Sequence, residues 1–327
     1  MTPPQIELES LKHLIPRIGE THLRQRLVLQ KEHSRQAFRS GYRKVQFENV
    51  WGLMRMIRFA LKATGMFRWG YRNYLDIQIV ENKFYLPGLP DNFNGFRILQ
   101  LSDLHLDLDP VITGVIEKKL INLEYDLAVI TGDFRSQTFG SYAKAMQETV
   151  RLLKSLHGPI YGILGNHDYL EFVLDLETAG MQMLLNETVI LEREGEIIYL
   201  SGVDDPYFYE TDNLPRACDG IPVEAFSILL AHTPDIFRAA AASGYDLLFC
   251  GHTHGGQICL PGRYPLMTHS NCPRSMIYGP WRRNGIQGYT SAGTGSNGVP
   301  ARFFCPPEIT IHQLIKGDPR LVEIQVG

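Results

Sequence analysis

A chain of 327 residues, 44% of them hydrophobic, is long enough to bury a sizeable core, and five cysteines without paired spacing exclude a disulfide framework. The net charge of −3 conceals two regions: residues 1–72 carry 14 Lys and Arg against 5 Asp and Glu, and the remainder carries 18 against 30. That asymmetry sets a basic amino-terminal segment, residues 1–75, apart from an acidic body, residues 76–327.

From Glu7 to Lys44 the chain reads as polar helices broken near Pro16 and Gly41, with no chemistry of their own. Met1-Thr-Pro-Pro is not followed by an apolar run, so no secretory signal is expected. Trp51 to Trp69 then reads as one amphipathic helix. Arg55, Arg58 and Lys62 share a narrow face, and Trp51, Leu53, Met54, Met56, Ile57, Phe59 and Leu61 fill the rest. Its four charges in 19 residues exclude spanning a bilayer. Each would cost about 2.5–3.5 kcal/mol near the membrane centre, against about 0.3–0.6 returned by each Leu, Ile or Phe. Lying in the interface avoids that cost, with the basic face on anionic headgroups at roughly 1 kcal/mol per cation. Residues 51–72 are therefore expected to meet a membrane surface, with docking on the protein's own surface or a dimer partner as the alternative. Nucleic acid is not an expected partner, because the basic face is narrow and the aromatic residues lie away from it.

Five apolar runs follow, and each closes on residues with metal-ligand chemistry. Phe96 to His105 ends on Asp103 and His105, Leu127 to Asp133 on Asp133, and Ile160 to Asp168 on Asn166, His167 and Asp168. Phe226 to His232 ends on His232, and Leu247 to Gln257 on His252 and His254 before a Gly255-Gly256 turn in which Gln257 is structural. Runs of this length fit strands covered on both faces, and α/β sheets gather functional groups at their carboxyl ends. Between them Val111–Leu123 and Ser141–Leu156 have amphipathic helical periodicity that packing explains. Cys250, inside the last run, reads as a small buried hydrophobe, and the unpaired cysteines together fit a reducing cytoplasm. Beyond it, Tyr264–Met267 and Met276–Trp281, followed by Arg282-Arg283, read as a Gly/Pro-punctuated loop excursion. It serves either as an acyl-chain wall or as ordinary packing.

The set Asp103-x-His105, Gly132-Asp133, Gly165-Asn-His-Asp168, His232 and Gly251-His-x-His254 resembles, in order, the five motifs of the calcineurin-like metallophosphoesterases. The tail, Ser291-Ala-Gly-Thr-Gly295 with Pro300-x-Arg302 and Pro306-Pro-Glu-Ile309, is similar to the end of that family's bacterial membrane-associated branch. The resemblance implies a four-layer α/β fold, two mixed β-sheets sandwiched between helices, with residues 76–327 as the catalytic domain. It also implies two divalent cations: Asp103, His105 and His254 around the first, Asn166, His232 and His252 around the second, and Asp133 shared. Mn²⁺ suits this oxygen and nitrogen shell, with Fe or Zn²⁺ as alternatives. His167 would face the substrate, donating a hydrogen bond or a proton, and Asp168 would hold its tautomer. Arg135, two residues after Asp133, is either a phosphate contact or a solvated loop residue.

A dinuclear site of this kind hydrolyses phosphate esters. Combined with the basic helix, the resemblance implies a peripheral enzyme on the cytoplasmic face of the inner membrane, acting on a lipid-linked nucleotide sugar. The architecture resembles the longer UDP-2,3-diacylglucosamine pyrophosphatases of lipid A synthesis, which release UMP and an acylated sugar phosphate. A general phosphodiesterase and a non-catalytic metal-binding scaffold are the alternatives, and the oligomeric state is left open.

Overall fold

The structure, a computed structural model, describes residues 11–36, 51–268 and 270–318, with side chains at 11–32, 54–268 and 270–318. The expectations for Met1–Pro4, for a helix starting at Glu7 and for the break at Gly41 fall outside the described residues, as do the side chains of Trp51 and Leu53.

Among the described residues, two six-stranded sheets form the body. The first has the order β1 (Gln78–Leu86), β14 (Glu308–Lys316), β2 (Arg97–Leu101), β3 (Leu127–Ile130), β4 (Ile160–Gly162) and β5 (Met181–Met183). Strands β2 to β5 run parallel, and β14 lies antiparallel to β2. The second has the order β12 (Gly279–Arg283), β13 (Ile286–Thr290), β9 (Leu247–Cys250), β8 (Ser227–Leu230), β7 (Glu196–Gly202) and β6 (Glu187–Arg193). Its four inner strands are parallel and its two edges antiparallel. A small hairpin of β10 (Cys259–Leu260) and β11 (Tyr264–Pro265) stands apart.

The apolar runs supply both faces of each strand, and the two-residue side-chain period divides them. Ile98, Leu127, Val129, Ile228, Leu230, Leu247 and Phe249 enter the core between the sheets. Their neighbours Leu99, Leu101, Ala128 and Ile130 turn outward beneath helices, as Leu229, Leu248 and Cys250 do on the second sheet.

Among the described residues, seven α-helices of six or more residues can be numbered in chain order: α1 (Glu20–Gln36), α2 (Trp51–Ala63), α3 (Met66–Leu75), α4 (Val111–Leu120), α5 (Ala143–Leu153), α6 (Phe172–Thr178) and α7 (Phe237–Ala242). Ile112 and Ile116 of α4, Leu152 of α5 and Leu176 of α6 cover the first sheet, and Phe237 and Ala240 of α7 cover the second. The result is the expected four-layer arrangement, helices outside and two sheets inside.

Three expectations need correction. The helix over Trp51–Trp69 is two helices, because Gly65 adopts φ 74° and reverses the chain between α2 and α3. Met276–Trp281 is not wholly a loop: Gly279–Arg283 forms edge strand β12, where Pro280 can sit without a missing N–H costing a ladder bond. Most consequentially, the basic segment is not one object apart from the body. Leu11, Leu14, Ile18, and Leu23 and Leu27 of α1, are buried in the same core as β2 and β3. Arg17 pairs with Glu177 at 2.8 Å and Glu187 at 2.7 Å.

Candidate metal centre

Strands β2, β3 and β4 of the first sheet and β8 and β9 of the second end side by side, and the residues that follow them meet in one buried cluster. Ligand-type atoms of Asp103, His105, Asp133 and His254 all lie within 4.8 Å of one another. A second group adjoins it. His252 Nδ1 lies 2.9 Å from Asn166 Oδ1 and 3.3 Å from His232 Nε2, which is itself 3.0 Å from Asn166 Oδ1. Asp133 Oδ2 stands between the groups, 3.6 Å from His105 Nε2 and 3.4 Å from His232 Nε2.

The local backbone is held in unusual conformations to achieve this. Asp103, His105, Asp133, His252 and His254 all have positive φ, between 43° and 70°. Left-handed backbone at non-glycine residues is costly and concentrates where function requires it. Tight packing assists: a Cβ at Gly251 would strike the Ser102 hydroxyl and the Asp103 carboxylate. The glycine thus makes room for a ligand-bearing loop of the other sheet, rather than for an ion directly.

Hydrogen bonds fix which ring nitrogens face inward. His105 Nδ1 donates to the Arg135 carbonyl at 2.6 Å and His232 Nδ1 to the Thr131 carbonyl at 2.8 Å, so each Nε2 is turned toward the cluster. The His105 lone pair faces His254 Nε2 at 3.2 Å, and His232 Nε2 faces the Asn166 oxygen at 3.0 Å. Acceptors converging at such distances are stabilised by a cation between them, so the residues fit divalent metal. Burial drives His105 down to about 4 and His254 well below the usual imidazole range, which keeps both in the neutral, ligating form. Burial lifts Asp103 to about 6. At His232 burial acts downward, but Asp133 outweighs it and raises the imidazole to about 10, so at neutral pH Nε2 holds a proton toward Asp133 that a bound cation would displace.

Among the other expected site residues, His167 reaches the cluster with Nε2 3.8 Å from Asp133 Oδ2, while its main-chain N–H donates to Asp133 Oδ1 at 2.9 Å. Asp168 differs from expectation. Its carboxylate accepts the main-chain N–H groups of Asp133 at 2.7 Å, Phe134 at 2.9 Å and Gly165 at 2.8 Å, so it locks the β3 and β4 loops together rather than orienting His167. Arg135 is not solvated. Its buried guanidinium lies 4.5 Å from the Tyr169 ring centre and donates to the Phe139 and Gly140 carbonyls.

Three contributors were not placed at the site by the sequence reading. Asn297 Nδ2 lies 3.5 Å from His167 Nε2, and Gln257 grips the Asn297 backbone from both sides, at 2.8 and 2.9 Å. Arg302 is fully buried and donates to the carbonyls of His254 at 3.0 Å and Ala292 at 2.7 Å. A charged residue inside Val-Pro-Ala-Arg-Phe-Phe was the available signal for it. The Tyr207 ring lies 5.4 Å from that of His252.

Comparison with known sequences accords with this geometry. Residues 96–256 match the sequence profile of the calcineurin-like phosphoesterases. The uncharacterized metallophosphoesterase YkuE of Bacillus subtilis is 33% identical over 282 residues, covering 78% of this chain and 92% of its own. The chain belongs to the calcineurin-like phosphoesterases. Another relative, the uncharacterized metallophosphoesterase YkoQ of the same organism, is 31% identical over 74% of this chain and 92% of its own. The phosphodiesterase YaeI of Escherichia coli is 25% identical over 75% and 92%. This phosphoesterase is a metal-dependent phosphoester hydrolase.

Proposed function

We propose that this phosphoesterase is a dinuclear-metal phosphodiesterase that works at a membrane surface on a lipid-linked phosphodiester or pyrophosphate. The observation that carries the dinuclear reading is the position of Asp133 Oδ2, within 3.6 Å of imidazoles from both groups. Asp103, His105 and His254 would hold one ion, Asn166, His232 and His252 the other, and Asp133 both. Mn²⁺ is favoured for an oxygen and imidazole shell without thiolate. Divalent cations there supply positive charge beside a phosphoryl centre and acidify water enough to attack at neutral pH.

The chain's own residues do the rest. His167, held by its main-chain bond to Asp133, is placed to donate a hydrogen bond to a phosphoryl oxygen or a proton to the leaving oxygen. Asn297 Nδ2 lies 3.5 Å from its Nε2. Asp168 and Arg302 fix the ligand loops, so little reorganisation accompanies reaction.

Support for a lipid surface comes from outside the centre. Met56 of α2 is 62% exposed and Phe59 73%, beside exposed Arg55, Arg58 and Lys62. The Trp69 ring of α3 lies 5.4 Å from that of Phe304, and both are partly exposed. Phe303 pairs with Gln257 and Cys259, so Phe304 adjoins the β10–β11 hairpin, whose Leu260, Tyr264, Leu266 and Met267 are also exposed. No described helix is long and apolar enough to cross a membrane. This apolar and basic surface supports interfacial docking, which we assign to the cytoplasmic face of an inner membrane.

UDP-2,3-diacylglucosamine is the specific substrate we test, with a soluble phosphodiester as the competing one. Mass spectrometry of the products should show UMP and the acylated sugar phosphate, formed in preference to hydrolysis of bis(4-nitrophenyl) phosphate. Turnover of the soluble diester alone would assign a general phosphodiesterase instead, the activity named for YaeI.

A further inference from the structure

Arg26 lies on α1, 142 residues from Asp168 in sequence, and is fully buried. Its Nη2 donates to the Asp168 carbonyl at 3.1 Å, and its Nε to the Asp204 carboxylate at 3.1 and 3.3 Å. The guanidinium carbon stacks 3.4 Å from the Tyr209 ring centre. These contacts belong to two different loops. One follows β4 and carries Asn166 and His167. The other follows β7: there Asp205 Oδ2 accepts the N–H groups of Phe208 and Tyr209, both at 2.6 Å, and Tyr207 is set against His252.

We infer that Arg26 is a positioning residue, a staple that holds the β4 loop of one sheet and the β7 loop of the other in register around the phosphoesterase centre. The inference rests on the functional reading above. Anchoring α1 does not require it, since Leu23 and Leu27 already bury the helix. A buried ion pair is a weak device for stability compared with apolar packing, so geometry is what the guanidinium contributes. The planar fork matters, because a lysine ammonium cannot donate to the Asp168 carbonyl and the Asp204 carboxylate while also stacking flat on Tyr209. Gln30, one turn along α1, extends the seam. Its Oε1 accepts from Leu170 N at 3.1 Å and its Nε2 donates to Glu171 at 2.8 Å. From Arg26 the path to the candidate ligands is short: the Asp168 carboxylate holds the N–H groups of Asp133 and Gly165.

The test compares full-length Arg26→Lys and the charge-neutral pair Arg26→Met with Asp204→Asn against Leu23→Ala, which thins the same helix's core contact without touching either loop. Hydrogen–deuterium exchange of peptides spanning 164–170 and 204–211 is read beside kcat and KM on bis(4-nitrophenyl) phosphate with Mn²⁺. Both Arg26 variants should speed exchange in both loops and lower kcat about tenfold or more with KM little changed, as misplaced catalytic groups do. Leu23→Ala should lower the melting temperature without either effect. Exchange and kcat matching Leu23→Ala in whichever Arg26 variant folds would overturn the proposal. Wild-type chain that hydrolyses nothing with any divalent cation would instead overturn the functional reading, and the exchange data would still decide the staple.

Discussion

Helices α1 and α2 both come from the basic end of the sequence, yet they meet opposite fates. Helix α1 sinks Arg26 completely into the body, where Asp204 and the Asp168 carbonyl receive it. Helix α2 keeps Met56 and Phe59 in solvent beside Arg55, Arg58 and Lys62. Positive charge in a sequence therefore does not say what it faces. The difference lies in the acceptors the fold brings to each helix, and those are read only in three dimensions.

The sharpest way to break the comparison is to remove the receiving end of α1. Arg26→Leu leaves the Asp204 carboxylate buried without its main partner and should cost about 3–5 kcal/mol, measured by urea denaturation. A loss near zero would show that the buried Asp204 charge does not depend on the α1 guanidinium.

A smaller, pH-dependent effect follows from Asp204. Burial pushes its carboxyl up, but Arg26 and His22 more than reverse this and hold it well below the ordinary carboxylate range. The stability it contributes is complete above its unfolded value near pH 4 and is lost as pH falls through the folded value. The stability difference between wild type and Asp204→Asn should therefore hold from neutral pH to about pH 5 and shrink below about pH 4. A difference that grows on acidification would contradict the pairing. At the small end, Phe59→Asp on α2 should change folding stability by no more than about 0.5 kcal/mol. Sedimentation with anionic vesicles should nevertheless show binding reduced several-fold, and unchanged binding would remove α2 from the membrane reading.

The same contrast explains what was legible in the sequence. The metal cluster was, because each candidate ligand follows an apolar strand within a few residues and the resemblance supplied the order. Asp168 was recognised as belonging to the site, but its role was not: a side chain's neighbour in sequence was taken as its partner in space. Asp168 in fact serves backbone N–H groups up to 35 residues away. Edge strand β12 was obscured by Pro280, whose missing N–H matters only in an inner strand. The Arg26 seam spans 142 and 178 residues and left no local trace.

The central claim is that seven side chains from five strand ends hold two cations around one shared carboxylate. Metal analysis of the Mn²⁺-reconstituted chain, read beside turnover of bis(4-nitrophenyl) phosphate, tests it most directly. Wild type should carry two ions per chain and lose turnover on exhaustive chelation; Asp133→Asn should retain one or fewer and lose at least about a hundredfold in kcat. A single ion in active wild type, or an Asp133→Asn chain that keeps both ions and its turnover, would contradict the account.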